Sequence, residues 1–179
     1  ACDHMVESYG ARVRFVVFQT GYRARFDDAT VVRAALGHMR HASPAELRIP
    51  ETPAAALELL GQADMLLSSR LHGLIFATLR GVAAVALDYE TKVRSFMREI
   101  GQEDASVSLA ELADGQLPGV LDAVWARRHE RGAGARTQME TLRARGLENF
   151  AHFRGLLARP QPDSALSGGA LLFASMTIV

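Results

Sequence analysis

Short apolar runs alternate with amphipathic segments through the first hundred residues, and this alternation limits the possible folds more than any other feature. Four runs have the continuous apolar character of buried strands, at 13–18, 46–49, 64–68 and 82–89. A helical pattern follows each run, at 27–40, 52–62, 70–80 and 92–101. Apolar strands that alternate with helices predict an α/β domain in which a parallel sheet has helices on both faces.

Residues that favour helix ends support these boundaries. Thr52 is a candidate N-cap with Pro53 at the first helical position, and acidic residues open the helix over 27–40. Gly81 follows the pattern over 70–80 and Gly101 closes the pattern over 92–101, at positions where glycine commonly ends a helix. The sequence therefore predicts both ends of several helices as well as their existence.

After the last of these helices the pattern changes to helices alone, with two expected at about 117–128 and 137–158. A stretch rich in proline, serine and glycine follows, and the apolar residues at the end are too few for a membrane span, which needs about 20. We therefore predict one domain over 1–158, followed by a linker and apolar tail over 159–179.

Charge and cysteine content exclude several classes of function. Basic and acidic residues number 20 each, so no net field would attract nucleic acid or an anionic membrane. Cys2 is the only cysteine, which excludes an internal disulfide framework and suits a reducing compartment. The opening ACDHMVESYG reads as part of a helix and not as a signal peptide, so we expect a piece of a longer protein.

Polar residues cluster where the third predicted strand ends, in the segment SSRLHG. Ser68 or Ser69 can cap the helix that follows, whose free N–H groups favour an anion. Arg70 offers a planar fork for a carboxylate or phosphate, and His72 can exchange protons near neutral pH. The segment therefore predicts an anion site with a proton-transfer group beside it.

A second cluster, DYETK, follows the fourth predicted strand. It contains Tyr89, Glu90 and Lys92, which is the only lysine in the chain and can serve as a point charge for phosphate. Loops that follow consecutive parallel strands commonly lie at one edge of the sheet, where open α/β sheets bind ligands. We therefore expect the two clusters to converge on one site.

Each cluster also has a purely structural interpretation. An arginine and a histidine at a helix start more often form a solvated cap than a site, and Glu90 with Lys92 could be a local ion pair. His38 and His41 are the only closely spaced histidines, and at a helix end they favour a capping role over a metal site. The sequence therefore predicts no metal centre.

A longer pattern favours the functional interpretation. Residues 63–101, ADMLLSSRLHGLIFATLRGVAAVALDYETKVRSFMREIG, resemble the signature region of the polysaccharide pyruvyl transferase family. Its members carry an aspartate-led strand, R-L-H, an apolar helix, a glycine, a second apolar strand and then Y-x-x-K. Residues 16–32 are more loosely similar to the strand, loop and Asp-led helix of the same domain.

The resemblance implies a glycosyltransferase-B-like enzyme of two Rossmann-like domains, of which this chain is the C-terminal one and the N-terminal one is missing. Such enzymes transfer a pyruvyl ketal from phosphoenolpyruvate to a glycan or lipid-linked saccharide during assembly of bacterial cell-wall polysaccharide or exopolysaccharide. The resemblance implies no further cofactor, no transmembrane segment, and a cytoplasmic location, either in solution or at the inner face of the membrane. The isolated domain is expected to be inactive.

The resemblance also assigns roles to residues. Arg70 would hold the carboxylate or phosphate of the donor, His72 would act as general acid and base, and Lys92 would stabilise the departing phosphate. The expected substrate-binding residues are Ser68, Ser69, Leu71, Tyr89 and Glu90.

Two other functions remain open from the sequence. The same fold could be the nucleotide-sugar-binding half of a glycosyltransferase or a sugar epimerase, for which Glu90 is the one candidate ribose ligand. The chain could also be a binding or assembly module without activity of its own.

Overall fold

The computed structural model describes residues 1–20, 27–42 and 45–157 of the chain, which form five short strands and eight α-helices. The strands are β1 (Arg14–Val16), β2 (Glu46–Arg48), β3 (Met65–Ser68), β4 (Ala83–Asp88) and β5 (Ser106–Ser108). The helices are α1 (Cys2–Tyr9), α2 (Asp28–His38), α3 (Pro53–Leu60), α4 (Leu71–Leu79), α5 (Thr91–Glu99), α6 (Leu109–Ala113), α7 (Leu117–Ala126) and α8 (Arg128–Leu157). The chain divides into two compact units, Ala1–Arg143 and Ala144–Val179, and the pocket described below lies in the first.

All strand pairs are parallel, which confirms the predicted α/β, Rossmann-like fold class. Within the described residues the strands form two sheets, β1–β2 and β3–β4–β5, and not the one continuous sheet that the sequence suggested. The fifth strand was not predicted, because its residues Ser-Val-Ser contain a single apolar side chain, Val107, and give no apolar run.

Strand β4 forms the centre of the core. Ala83, Ala84, Val85 and Ala86 are all buried, and since neighbouring side chains of a strand point to opposite faces, both faces of this strand are covered. Helices α4, α5 and α7 contact it, and Met97 is among the fully buried side chains packed there. Burying a side chain of this size stabilises the fold by about 1.5–3 kcal/mol.

The predicted helix ends are largely confirmed. Thr52 caps α3, where its hydroxyl accepts a hydrogen bond from the Ala55 N–H at 3.1 Å, and Pro53 opens the helix. Gly81 and Gly101 follow α4 and α5 with φ of 72° and 69°, in the left-handed region that favours glycine. These caps fix the lengths of the two helices that begin at the pocket.

Helix α8 begins well before the predicted start at residue 137. Gly132 lies inside it, and a Cβ at this position would come within 2.0 Å of the Gly81 carbonyl oxygen. The glycine therefore permits close packing of a continuous helix. No helix of the described residues is long and apolar enough to cross a membrane. The predicted linker and apolar tail, 159–179, lie outside the described residues.

Candidate functional site

The carboxyl ends of β1, β3 and β4 meet at a pocket of about 270 Å³. Its lining residues are Phe18, Gln19, Arg70, Leu71, His72, Tyr89, Glu90 and Lys92. The predicted convergence of the two polar clusters is thus confirmed, at the edge where open parallel sheets bind ligands. Of the eight residues predicted for the site, six line this pocket and Ser68 and Ser69 do not.

The turn from β3 into α4 places the first of these clusters. The prediction that Ser68 or Ser69 caps α4 is wrong: Arg70 occupies the N-cap position, and no side chain caps the helix. The Ser68 hydroxyl instead accepts from the Arg70 N–H at 3.0 Å and donates to the Arg70 carbonyl oxygen at 3.1 Å. Because Ser68 is the last residue of β3, its hydroxyl closes the turn around Arg70 and bonds to no N–H group in the first turn of α4.

Gly73, the third residue of α4, allows the helix to pack closely against this turn. A Cβ on Gly73 would lie 2.8 Å from the Ser68 hydroxyl oxygen and 3.4 Å from the ring of Phe18. The close approach brings the start of α4 against the end of β3, so that Leu71 and His72 line the pocket. The positive end of the helix dipole therefore lies at the pocket, where it favours negative charge.

Arg70 is held by a carboxylate from another part of the fold. Its Nη2 donates to Asp28 Oδ1 at 2.5 Å, and this hydrogen bond raises the pKa of the guanidinium above its ordinary value. Asp28 Oδ2 also accepts from the backbone N–H groups of Phe18 at 3.3 Å and Gln19 at 3.1 Å. One carboxylate thus connects the end of β1, the start of α2 and the start of α4.

Lys92 also has a carboxylate partner, Glu90, at 2.6 Å from its Nζ. The pair lowers the pKa of Glu90 and raises that of Lys92, and it confirms the local ion pair that the sequence allowed. Partial burial, together with the neighbouring Glu90, raises the pKa of the Tyr89 hydroxyl. Both side chains of the ion pair are exposed, so the pair adds little to stability.

His72 lies on the first turn of α4 with an exposed side chain. The centroid of its ring is 6.5 Å from that of Phe76, one turn further along the helix. Within the part of the chain that the structure describes, no hydrogen-bonding group holds the imidazole. As far as residues 1–20, 27–42 and 45–157 show, its two ring nitrogens are therefore available to a ligand in the pocket.

A family model for polysaccharide pyruvyl transferase matches residues 2–91, half of the chain. The chain belongs to the polysaccharide pyruvyl transferase family. The matched segment contains the pocket residues that follow β1 and β3, and it ends one residue before Lys92. No curated protein and no solved structure matches the chain.

Sequence reasoning did not single out three residues that lie in or beside the pocket. Phe18 and Gln19 line the pocket and Asp28 holds Arg70, and all three lie in the segment 16–32, whose looser resemblance to the family was the available signal. The role of Asp28 depends on its contact with Arg70, which lies 42 positions away in the sequence, and no local pattern reveals such a contact.

Metal binding has no support among the described residues, where no group of three or more His, Cys, Asp or Glu side chains could hold an ion. His38 is the last residue of α2, as a capping role would require. His41 lies further on, and its Nε2 is 3.0 Å from Glu7 Oε1 on α1.

Proposed function

We propose that residues 1–158 form the C-terminal domain of a glycosyltransferase-B-like, two-domain enzyme. This enzyme transfers a pyruvyl ketal from phosphoenolpyruvate to a sugar of a polysaccharide precursor, in the cytoplasm or at the inner face of the membrane. One observation carries the proposal: within a member of this family, Arg70, His72 and Lys92 line one pocket at the N-terminus of α4. The chain alone would bind the donor without completing the transfer.

The reaction sets clear demands on this pocket. A proton adds to the methylene carbon of phosphoenolpyruvate, which becomes a methyl group, and a sugar hydroxyl loses its proton and bonds to the adjacent carbon. The bond from that carbon to the phosphate oxygen then breaks, and a second hydroxyl of the same sugar closes the ketal. The second hydroxyl proton leaves with phosphate, so one diol and one phosphoenolpyruvate yield one ketal and one phosphate.

The lining residues match these demands. Arg70 can hold the carboxylate or phosphate of the donor, with the N-terminus of α4 adding positive potential. His72 has an exposed imidazole that can give a proton to the methylene carbon or take one from a hydroxyl. Lys92 can stabilise the charge of the departing phosphate. Leu71, Tyr89 and Glu90 would contact the substrates, whereas Ser68 would act only through the turn that it closes.

The proposal is tested with the complete protein, by following phosphate release from phosphoenolpyruvate in the presence of acceptor glycans. His72→Ala should lower kcat by about 10²–10⁴-fold, the usual contribution of a general acid and base. His129→Ala, at an exposed position of α8, is the matched control and should leave kcat unchanged. Equal rates for the two variants would contradict the role of His72, and consumption of a sugar nucleotide in place of phosphoenolpyruvate would contradict the proposed reaction.

A further inference from the structure

Asp28 has more partners than its position at a helix start requires. The helix α2 already has a cap, because the Asp27 carboxylate accepts from the Ala29 N–H at 3.1 Å. The Asp28 side chain, only 18% exposed, is turned instead toward the end of β1 and toward Arg70. Its carboxylate therefore serves the pocket wall in addition to the helix.

The backbone reinforces this arrangement. The Asp28 N–H donates to the Gln19 carbonyl oxygen at 3.1 Å, while Asp28 Oδ2 accepts from the Gln19 N–H at the same distance. The two residues are thus bonded in both directions, which fixes the carboxylate in place. A carboxylate fixed in this way can hold a long, flexible side chain in one orientation.

The Asp28 carboxylate holds the side chain of Arg70. A guanidinium has five N–H donors, and the Asp28 carboxylate takes one of them, on Nη2. The Arg70 side chain remains 37% exposed at the pocket, so other donors can reach a ligand. An arginine fixed before binding loses less conformational freedom when an anion arrives, and this increases affinity.

We propose that Asp28 is a positioning residue that fixes the Arg70 guanidinium for the carboxylate or phosphate group of the donor substrate. The identity of that anion as phosphoenolpyruvate rests on the proposed function. The opposite role is that of a competitor, in which the Asp28 charge occupies the arginine and weakens anion binding. The two roles predict opposite effects when the charge of Asp28 is removed.

Asp28→Asn separates them. The amide oxygen of asparagine can still accept from the N–H groups of Phe18 and Gln19, while the charge that holds Arg70 is lost. The matched control is Asp122→Asn, which removes a carboxylate that joins α1 to α7 through His4 Nε2 at 2.7 Å and the Tyr9 hydroxyl at 2.8 Å. Thermal unfolding of both variants measures the stability lost when each of these two carboxylates is removed.

Two measurements on the 179-residue chain then test the proposal. The first is the rate at which phenylglyoxal modifies Arg70, read by peptide mass spectrometry against the exposed Arg33 as internal reference. The second is the Kd for phosphoenolpyruvate and, separately, for inorganic phosphate. We expect Asp28→Asn to raise the modification rate of Arg70 several-fold and to weaken binding on the order of tenfold, the size of one charge-assisted hydrogen bond. Asp122→Asn should change neither quantity.

A variant that lacks Arg70 completes the test. In an Arg70→Ala background, Asp28→Asn should cause no further loss of affinity, because Asp28 supports binding only through the arginine. Tighter or unchanged binding in Asp28→Asn, an unchanged modification rate, or a full second loss in the Arg70→Ala background would overturn the proposal. Binding of phosphate without phosphoenolpyruvate would contradict only the proposed function, whereas a chain that binds neither would contradict both.

Discussion

Among the described residues, two ion pairs lie at the pocket, and the fold holds them in different ways. Asp28 and Arg70 come from two helices and are separated by 42 residues, and the carboxylate is also bonded to two backbone N–H groups. Glu90 and Lys92 are two residues apart at the start of α5, and their side chains are 38% and 55% exposed. The first pair depends on the tertiary fold, while the second is local and open to water.

The difference indicates two kinds of cationic group in one site. A pair anchored by the fold keeps its arginine in one place before a ligand binds, so it adds affinity and orientation. An exposed pair exchanges easily with water and ions, so an incoming dianion can take the place of the carboxylate. We therefore expect Arg70 to orient the donor and Lys92 to follow the charge that develops on the phosphate.

The largest expected effect comes from removing the two cations separately. Arg70→Ala should weaken phosphoenolpyruvate binding about 100-fold, since it removes fixed donors that can pair with an anion bidentately. Lys92→Ala should weaken it only about tenfold, since that amine must first leave Glu90. Calorimetric titration of the two variants measures the ratio. Equal losses would show that the two pairs contribute alike and would remove the distinction between them.

A second change should disturb the Arg70 side of the pocket alone. In Gly73→Ala the new Cβ would press on the Ser68 hydroxyl, which is bonded to the Arg70 backbone. Overpacking of this kind should lower the free energy of unfolding by about 1–2 kcal/mol and weaken phosphate binding several-fold. Chemical denaturation measures the first quantity and titration the second. Amine labelling of Lys92, the only lysine, should stay unchanged.

Gly119→Ala is the matched control for that variant. Gly119 lies within α7, and a Cβ there would meet no atom within 4 Å. The substitution should therefore stabilise the chain by about 0.5–1 kcal/mol, through lower backbone entropy of the unfolded state. A loss of stability in both variants would mean that the effect at position 73 does not come from the Ser68 contact.

Local features of the sequence predicted the parts of this fold that depend on interactions between residues close together in the chain. Thr52 and Pro53 predicted the start of α3 because a cap acts within one turn, and the buried run of β4 predicted a covered strand because its apolar residues are contiguous. The convergence of Arg70, His72 and Lys92 also followed from strand order, since parallel strands bring their carboxyl ends together.

The features that were missed depend on contacts between distant residues. Asp28 looked like one more acidic residue at a helix start, and only the folded chain places it 2.5 Å from Arg70. Gly132 fits closely against Gly81 within a continuous α8, although glycine is a poor helix former in isolation. Ser68 has the side chain of a helix cap, but the length of β3 places it too early to cap α4.

The smallest expected effect, and the most direct test of the comparison, comes from Glu90→Gln. If the Glu90 charge competes with a bound anion, its removal should tighten phosphate binding about threefold near neutral pH, opposite in sign to Asp28→Asn. Glu99→Gln, at an exposed position on the same helix, is the matched control and should have little effect. Weaker binding in Glu90→Gln would mean that Glu90 holds Lys92 in place, as Asp28 is proposed to hold Arg70.

The pH dependence of phosphate binding by the same variant tests whether the charge of Glu90 causes the effect. Lys92 lowers the pKa of Glu90 below its ordinary 4.5, so the pair stabilises the fold above that pH and the effect is lost as pH falls through the lowered value. Glu90 raises the pKa of Lys92 above 10.5, so at the alkaline end the effect is lost as pH rises through the raised value. The difference in phosphate affinity between wild type and Glu90→Gln should therefore grow as phosphate becomes a dianion and should vanish in acid, where Glu90 is neutral. Both proteins are titrated with phosphate at each pH, and a difference that persists in acid would exclude the charge of Glu90 as its cause.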